Sequence, residues 1–444
     1  MKNYWITSGF YSLLNQVTQM IFNLGSVVLL WRMLGKDVCS VWVIYLTIIA
    51  VVEVSRTGLL QNALMTFLNT TPKEEHSAIN TASMFLNVLL SLIIASLLLF
   101  TCSAIADYYN EPILIQLLSI YAVTTVILSA VYQFNFIQQA YMDFKGLFWS
   151  TFVRTGALFF FILYLKLTNK SVELSELACV QLLAAIPAAL VGYWFAKKYF
   201  LLSSKLDASW LKKLFKYGKY TFGTNVATMA FKTVDKLILG KMLLGSLSTY
   251  DLSTKINTLA DVPTTTLAAV LFPQSARRHH EDGKASAKFL YEKSVGVLLS
   301  LIIPVVIFIL LFADIIVTII GGKNYADAAH VLRLTIFYGV FMAFAVQFGT
   351  VIDSIGKPKL NFYTTAFGAC VNLVCNYFFI KWFGLYGAAY GTLTALTIMF
   401  VITQTILYRV LNVHISQVFK HAFSFYGEMY HKFLKKTPSA VKYT

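Results

Sequence analysis

Residues 77–106 decide the fold and read SAINTASMFLNVLLSLIIASLLLFTCSAIA, with no charged side chain from end to end. Residues 113–142 and 382–408 are uncharged in the same way. A helix of about 20 apolar residues already crosses the hydrocarbon core of a bilayer. We therefore expect an all-α polytopic membrane protein.

The composition agrees with this expectation. Mean hydropathy is +0.68, 58% of residues are hydrophobic and 13% are charged, against about 25% charged residues in soluble domains. The five cysteines show no metal-ligand spacing and mostly fall inside apolar segments, so we expect no disulfide and no metal site. The N-terminal segment lacks a short apolar core with a small-residue cleavage site, so the first helix should be retained.

The apolar segments predict twelve transmembrane helices joined by short loops. We expect them at 9–34, 40–67, 77–106, 113–142, 147–168, 174–197, 214–241, 247–275, 289–313, 326–355, 359–382 and 385–410. The longest connection lies at the midpoint, which predicts an N-lobe at 1–200, an elbow linker at 201–213, a C-lobe at 214–410 and a tail at 411–444. Two six-helix lobes that start on the same side of the membrane would be related by a pseudo-two-fold axis along the membrane normal.

Loop charges predict the orientation. Lysines and arginines concentrate in alternate loops, above all at 197–219 and 277–293, so both termini should be cytoplasmic. The net charge of +16 is then explained by topology, and we expect no nucleic-acid partner. Residues 413–434 have an apolar stripe at helical spacing among basic residues, which predicts a helix lying on the cytoplasmic leaflet. Residues 207–210 predict a shorter helix of the same kind.

A few basic residues lie inside the predicted helices, where a charge costs about 2.5–3.5 kcal/mol even on lenient scales. They point to a cavity for an anion, and they are Arg56, Arg154, Lys232, Lys236 and Lys255. Acidic residues lie at pairing distance along the same helices, namely Glu53, Asp235 and Asp251. Local neutralisation of the basic residues is therefore an open alternative. No phosphate loop and no nucleophile–base pattern occurs, so we expect neither ATP hydrolysis nor a catalytic site.

Residues 217–276 resemble the helix 7–8 region of Wzx-type polysaccharide flippases, in the MOP superfamily that also contains lipid II flippases and multidrug exporters. The resemblance rests on Tyr217-Gly218, on Asp235 before Ile238-Leu239-Gly240, and on Tyr250, Lys255, Pro263 and Phe272-Pro273. GLLQNALMTFL after Thr57, Gly321-Gly322 and IGKPK at 355–359 support it. One feature departs from the family: Arg56 stands near the place where members often carry an acidic residue.

The resemblance implies that cavity residues bind a lipid pyrophosphate, here Arg56 and Lys255 with Lys232, Lys236 and Arg154. Glu53, Asp235, Asp251 and Asp261 become candidates for H⁺ or Na⁺ coupling, with the membrane potential as a further drive and no cofactor. A break at Ser55–Gly58 should unwind the second helix toward the cavity.

The implied function is alternating-access flipping of a polyprenyl-pyrophosphate-linked oligosaccharide. The movement would run from the cytoplasmic to the outer leaflet of the bacterial inner membrane, for export of a surface polysaccharide such as O-antigen. Glycosyltransferases and a polysaccharide polymerase are then expected partners. A cation-coupled multidrug exporter and a lipid II flippase stay open as alternatives. A membrane enzyme would need larger polar loops than this chain has.

Overall fold

The computed structural model describes residues 2–258, 264 and 284–434. The chain divides by close packing into two compact units. The first contains residues 1–248 and 320–322, and the second contains residues 249–319 and 323–444. The helices of the first unit are α1 (Lys2–Met33), α2 (Lys36–Thr70), α3 (His76–Tyr109), α4 (Ile113–Ala140), α5 (Phe144–Leu167), α6 (Leu174–Ala196) and α7 (Ala208–Met242). Helix α8 covers 244–258 of the described residues. The second unit continues with α9 (Lys284–Gly321), α10 (Ala328–Thr335), α11 (Tyr338–Ser354), α12 (Pro358–Leu411) and α13 (Ile415–Leu434).

The predicted spans agree well with these helices, and nine helices of the described residues are long and apolar enough to cross a membrane. The two spans predicted at 359–382 and 385–410 form one long helix, α12, which is kinked at Gly384 with φ 58° and ψ −131°. The span predicted at 326–355 is divided into α10 and α11. Much of the span predicted at 247–275 lies outside the described residues, and the total of twelve stays a prediction.

Two local predictions are wrong. Helix α2 runs unbroken through Ser55–Gly58, and the hydroxyls of Ser55 and Thr57 donate to carbonyl oxygens one turn earlier on the same helix. The separate elbow helix at 207–210 is the first turn of α7, which begins after Asp207. The Asp207 carboxylate accepts the backbone N–H of Ser209 at 2.8 Å, the usual way an aspartate caps a helix start.

Helices α2 and α7 pack closely along much of their length in the first unit. A Cβ at Gly218 of α7 would lie 2.0 Å from the carbonyl oxygen of Leu59 on α2, so only glycine permits this approach. A Cβ at Gly58 would similarly meet the side chain of Asn225. Glycines at such contacts are typical of membrane helix pairs, where close backbone approach supplies the packing energy. Helix α7 therefore packs as part of the first unit. The lobe division at 201–213 stays a prediction.

The tail helix α13 packs against the second unit through one face. Val418 and Ala422 are buried in a core shared with α9, α11 and α12. A Cβ at Gly296 of α9 would lie 2.8 Å from the carbonyl oxygen of Val418, so the two helices touch through their backbones. The predicted apolar stripe is thus partly used within the protein, whereas its member Phe419 remains 45% exposed. Contact of that outer face with the membrane stays a prediction.

Candidate substrate and ion-coupling site

Arg56 lies in the middle of α2 and is completely buried. Its Nη2 is 3.2 Å from a carboxylate oxygen of Glu53, one turn earlier on the same helix. Its Nη1 donates to the carbonyl oxygen of Thr125 at 2.8 Å and to the hydroxyl of Ser91 at 3.4 Å. The guanidinium carbon also lies 4.2 Å from the ring centroid of Tyr132, within cation–π range. The charge of Arg56 is therefore balanced inside the first unit.

Glu53 is the centre of this arrangement, with only 15% of its side chain exposed. The hydroxyls of Tyr121 and Tyr132 both donate to its carboxylate. The hydroxyl oxygen of Tyr132 in turn accepts from Nη1 of Arg154 at 3.3 Å, so α5 is linked to Glu53 through a tyrosine. We call these five residues, Glu53, Arg56, Tyr121, Tyr132 and Arg154, the Glu53 cluster.

The structure thus joins three residues predicted from the sequence with two that were missed. Tyr121 and Tyr132 are eleven positions apart on α4, which is about three helical turns, so they share one face of that helix. Thr125, which also contacts Arg56, lies between them on the same face. This row of hydroxyls on one face of an uncharged helix was the available sequence signal.

A row of buried polar side chains continues from the Glu53 cluster along the contact between α3 and α4. We call it the α3–α4 ladder, and its members are Asn80, Ser83, Asn87 and Ser91 of α3 with Ser129 and Gln133 of α4; all are 3% exposed or less. Ser83 and Asn87 donate to the Gln133 side-chain oxygen at 3.2 and 3.4 Å. Asn87 also donates to the Ser129 carbonyl at 2.9 Å.

Helix α7 carries the next pair of predicted basic residues. Lys232 is exposed and Lys236 is half-buried. Asp235 is buried, and its carboxylate accepts the backbone N–H of Lys236 at 2.8 Å. Seven residues before Lys232, Asn225 of α7 contacts Gly58 of α2.

The remaining predicted site residues belong to the second unit. Lys255 is 30% exposed, and its Nζ lies 4.0 Å from a carboxylate oxygen of Asp251, which is 2% exposed. The pairing predicted at this i, i+4 spacing is confirmed. Asp261 lies outside the described residues.

Residues 29–330 match a family described as "Polysaccharide biosynthesis protein". The chain belongs to this family. The match includes both basic and acidic predicted site residues, from Glu53 to Asp261.

Relatives of this family member are named as glycan flippases and biosynthesis proteins. A probable low-salt glycan biosynthesis flippase, Agl15 of Haloferax volcanii, is 24% identical over 182 residues, covering 41% of this chain and 39% of the relative. The teichuronic acid biosynthesis protein TuaB of Bacillus subtilis is 21% identical over 281 residues, covering 63% and 57%. The chain thus matches less than two thirds of the length of each of these relatives.

Solved structures with a similar fold come from the MOP superfamily. The lipid II flippase MurJ in an inward closed conformation superposes with a TM-score of 0.76 at 14% identity, over 96% of this chain and 93% of that one. A multidrug resistance MATE transporter in an inward-facing conformation gives 0.74 at 17% identity, over 88% and 95%. These likenesses show the fold, and with the family match they confirm the predicted resemblance to Wzx-type flippases of the MOP superfamily.

Proposed function

We propose that this protein flips a polyprenyl-pyrophosphate-linked oligosaccharide from the cytoplasmic to the outer leaflet of a bacterial inner membrane. The observation that carries the proposal is the charge balance inside the first unit. Among the predicted site residues, α2, α5 and α7 carry four cationic side chains, Arg56, Arg154, Lys232 and Lys236, and two carboxylates, Glu53 and Asp235. An excess of positive charge of this kind would stabilise an anion that hydrocarbon would exclude.

The exposure of each basic residue indicates its role. Lys232 is exposed and Lys255 is partly exposed, so both ammonium groups can bind phosphate oxygens directly. Arg154 is half-buried and extends the positive potential from the Glu53 cluster. Arg56 has no accessible surface, so its predicted contact with the pyrophosphate would require α2, α3 and α4 to separate. We propose Lys232 as a direct ligand in the first unit, with Arg56 as a source of positive electrostatic field there, and Lys255 as a separate candidate ligand in the second unit.

The polyprenyl tail would stay in lipid while the head group crosses in the protein, and rocking of the two predicted lobes would give alternating access. With the inside negative, moving two negative charges outward gains about 5 kcal/mol per 100 mV of membrane potential. Cationic side chains that move with the head group would reduce this gain. Glycosyltransferases would supply the substrate, and a polymerase would consume it on the other side.

The test uses the purified protein in liposomes that contain a fluorescent polyprenyl-pyrophosphate-linked oligosaccharide. A membrane-impermeant quencher reports the fraction that reaches the opposite leaflet. We expect Lys232→Met and Lys255→Met each to slow flipping strongly, and Lys323→Met, an exposed lysine in the loop after α9, to flip like wild type. Flipping at the wild-type rate by both Lys232→Met and Lys255→Met would overturn the anion-site assignment.

The same liposomes separate the rival functions. If the protein flips lipid II equally well, the substrate assignment is too narrow. If it moves an organic cation such as ethidium and leaves both lipids in place, it is a multidrug exporter. In cells, loss of surface polysaccharide with accumulation of lipid-linked oligosaccharide in the Lys232→Met and Lys255→Met strains would support the flippase at normal protein levels.

A further inference from the structure

The α3–α4 ladder contains more polar atoms than the protein satisfies. Among the described residues, Asn80 Oδ1, Asn87 Oδ1 and Gln133 Nε2 are buried and have no hydrogen-bond partner. The same holds for Nε of Arg56, at the end of the ladder next to Glu53. Unsatisfied polar groups are costly inside a membrane protein, where bulk water is excluded. Ordered water that makes two to four hydrogen bonds is the usual solution in buried polar sites.

The ladder also has a direction. Asn80 lies near the start of α3, and its amide donates to the carbonyl oxygen of Tyr199 in the α6–α7 connection at 3.1 Å. Ser91 lies eleven residues later, which is about 16 Å along the helix axis, or about half the thickness of the hydrocarbon core. Ser91 then accepts from Arg56, whose other nitrogen binds Glu53. The α3–α4 ladder and Arg56 thus extend from one end of the first unit to the partly buried carboxylate of Glu53.

Polar side chains between membrane helices commonly act as interhelical contacts without any ligand. That explanation accounts for the bonds from Ser83 and Asn87 to Gln133. It leaves the orphaned amide atoms unexplained, because helix contacts gain stability only from groups that are paired. Three orphaned amide atoms on one ladder are better explained by a ligand that both donates and accepts.

We propose that the α3–α4 ladder holds a file of water molecules through which Glu53 exchanges a proton with the surface at the start of α3. The proton would arrive on a ladder water and form an O–H bond with the Glu53 carboxylate, while a proton from bulk water replaces it at the other end. No other group changes its charge in this step. Glu53 is contacted by Arg56 of α2 and by Tyr121 and Tyr132 of α4; Arg154 of α5 binds Tyr132, and Tyr45 of α2 packs on Tyr121. Helix α7, which packs against α2, carries Lys232, Asp235 and Lys236.

The consequence for transport rests on the proposed function. Glu53, Arg56 and Arg154 together carry two positive charges and one negative charge, a net +1, and protonation of Glu53 changes this to +2. A bound anion would therefore favour the protonated carboxyl, and a proton would favour anion binding to the same degree. The cluster would adjust its charge to the pyrophosphate as it binds.

Infrared difference spectroscopy of the full-length protein in phosphatidylcholine liposomes tests the proton site without any substrate. Lowering the pH should produce a carboxylic acid C=O stretching band that is absent from Glu53→Gln. The double variant Glu53→Gln/Arg56→Gln, which leaves no unpaired buried charge, should lack the band as well. Glu74→Gln, at an exposed position before α3, should keep it. A band that persists in the double variant would overturn the assignment to Glu53.

The path itself is tested by the rate at which that band shifts after transfer to D₂O. Asn87→Leu and Gln133→Leu interrupt the ladder and leave Glu53 in place, so each should slow the shift about tenfold, equivalent to about 1.4 kcal/mol in activation free energy. Thr101→Val, on an exposed position of α3, is the matched control and should exchange like wild type. Exchange at the wild-type rate in both ladder variants would refute the water file. Normal flipping without a titrating band would refute this inference alone, whereas a titrating band without flipping would refute the proposed function alone.

Discussion

Replacement of Glu53 with glutamine should destabilise the first unit strongly, because it leaves the guanidinium of Arg56 charged and completely buried. At the observed separation of 3.2 Å, the attraction is about 5 kcal/mol for an effective dielectric constant of about 20. Removal of one partner from a buried ion pair costs about 3–5 kcal/mol. We therefore expect Glu53→Gln to lower the free energy of unfolding by about 4 kcal/mol.

The assay is unfolding by a denaturing detergent in mixed micelles, followed by circular dichroism. Arg56→Met should cost less than Glu53→Gln, because Glu53 keeps the hydroxyl donors of Tyr121 and Tyr132. The double variant Glu53→Gln/Arg56→Met should lose less stability than the two single variants together, with a coupling energy of about 2–3 kcal/mol. Glu74→Gln, at an exposed position, is the control. A loss below about 1 kcal/mol in Glu53→Gln, or purely additive effects, would refute the idea that this pair holds the unit together.

Two further changes test packing and pH dependence. Gly218→Ala places a Cβ against the carbonyl oxygen of Leu59 and should lower the free energy of unfolding by about 1–3 kcal/mol. The control Gly427→Ala, whose Cβ meets nothing within 4 Å, should be neutral or stabilising. Thermal unfolding of the two variants compares these effects. Burial and the neighbouring Asp37 raise the pKa of Glu111, in the α3–α4 loop, above its ordinary value. The folded protein therefore disfavours the ionised form of Glu111. The contribution of Glu111 to the free energy of unfolding is present at low pH and is lost as pH rises through the raised pKa. Glu111→Gln should raise the melting temperature at neutral pH and lose this advantage at acidic pH; an equal gain at both would contradict the assignment.

Local patterns predicted most of the helices and two ion pairs, Arg56 with Glu53 and Lys255 with Asp251. Apolar segments of transmembrane length were recognisable because each must satisfy its own backbone in lipid. The pair between Lys255 and Asp251 followed from their i, i+4 spacing. Such features depend on neighbours along the chain, so they need no knowledge of tertiary packing.

Features that depend on distant parts of the chain could not be predicted in this way. The tyrosines that hold Glu53 come from α4, 68 and 79 residues further along the chain. The glycine at position 58 suggested an unwound helix, yet it serves the contact with Asn225 of α7. A glycine in a membrane helix can indicate either a break in the helix or a close contact with another helix, and only the partner helix distinguishes these two roles.

The basic residues that appeared alike in the sequence separate by burial into two physical classes. Lys232 is exposed and Lys255 is partly exposed, so we propose that both can exchange water for phosphate oxygens at modest cost. Arg56 has already exchanged its water for a carboxylate, a carbonyl and an aromatic ring. Its charge therefore reaches a substrate only to the extent that Glu53 fails to cancel it, so the state of Glu53 sets how much positive field the first unit presents. We propose from this arrangement that the partly buried carboxyl of Glu53 controls an anion site in the first unit, and a count of basic residues in the sequence could not have indicated it.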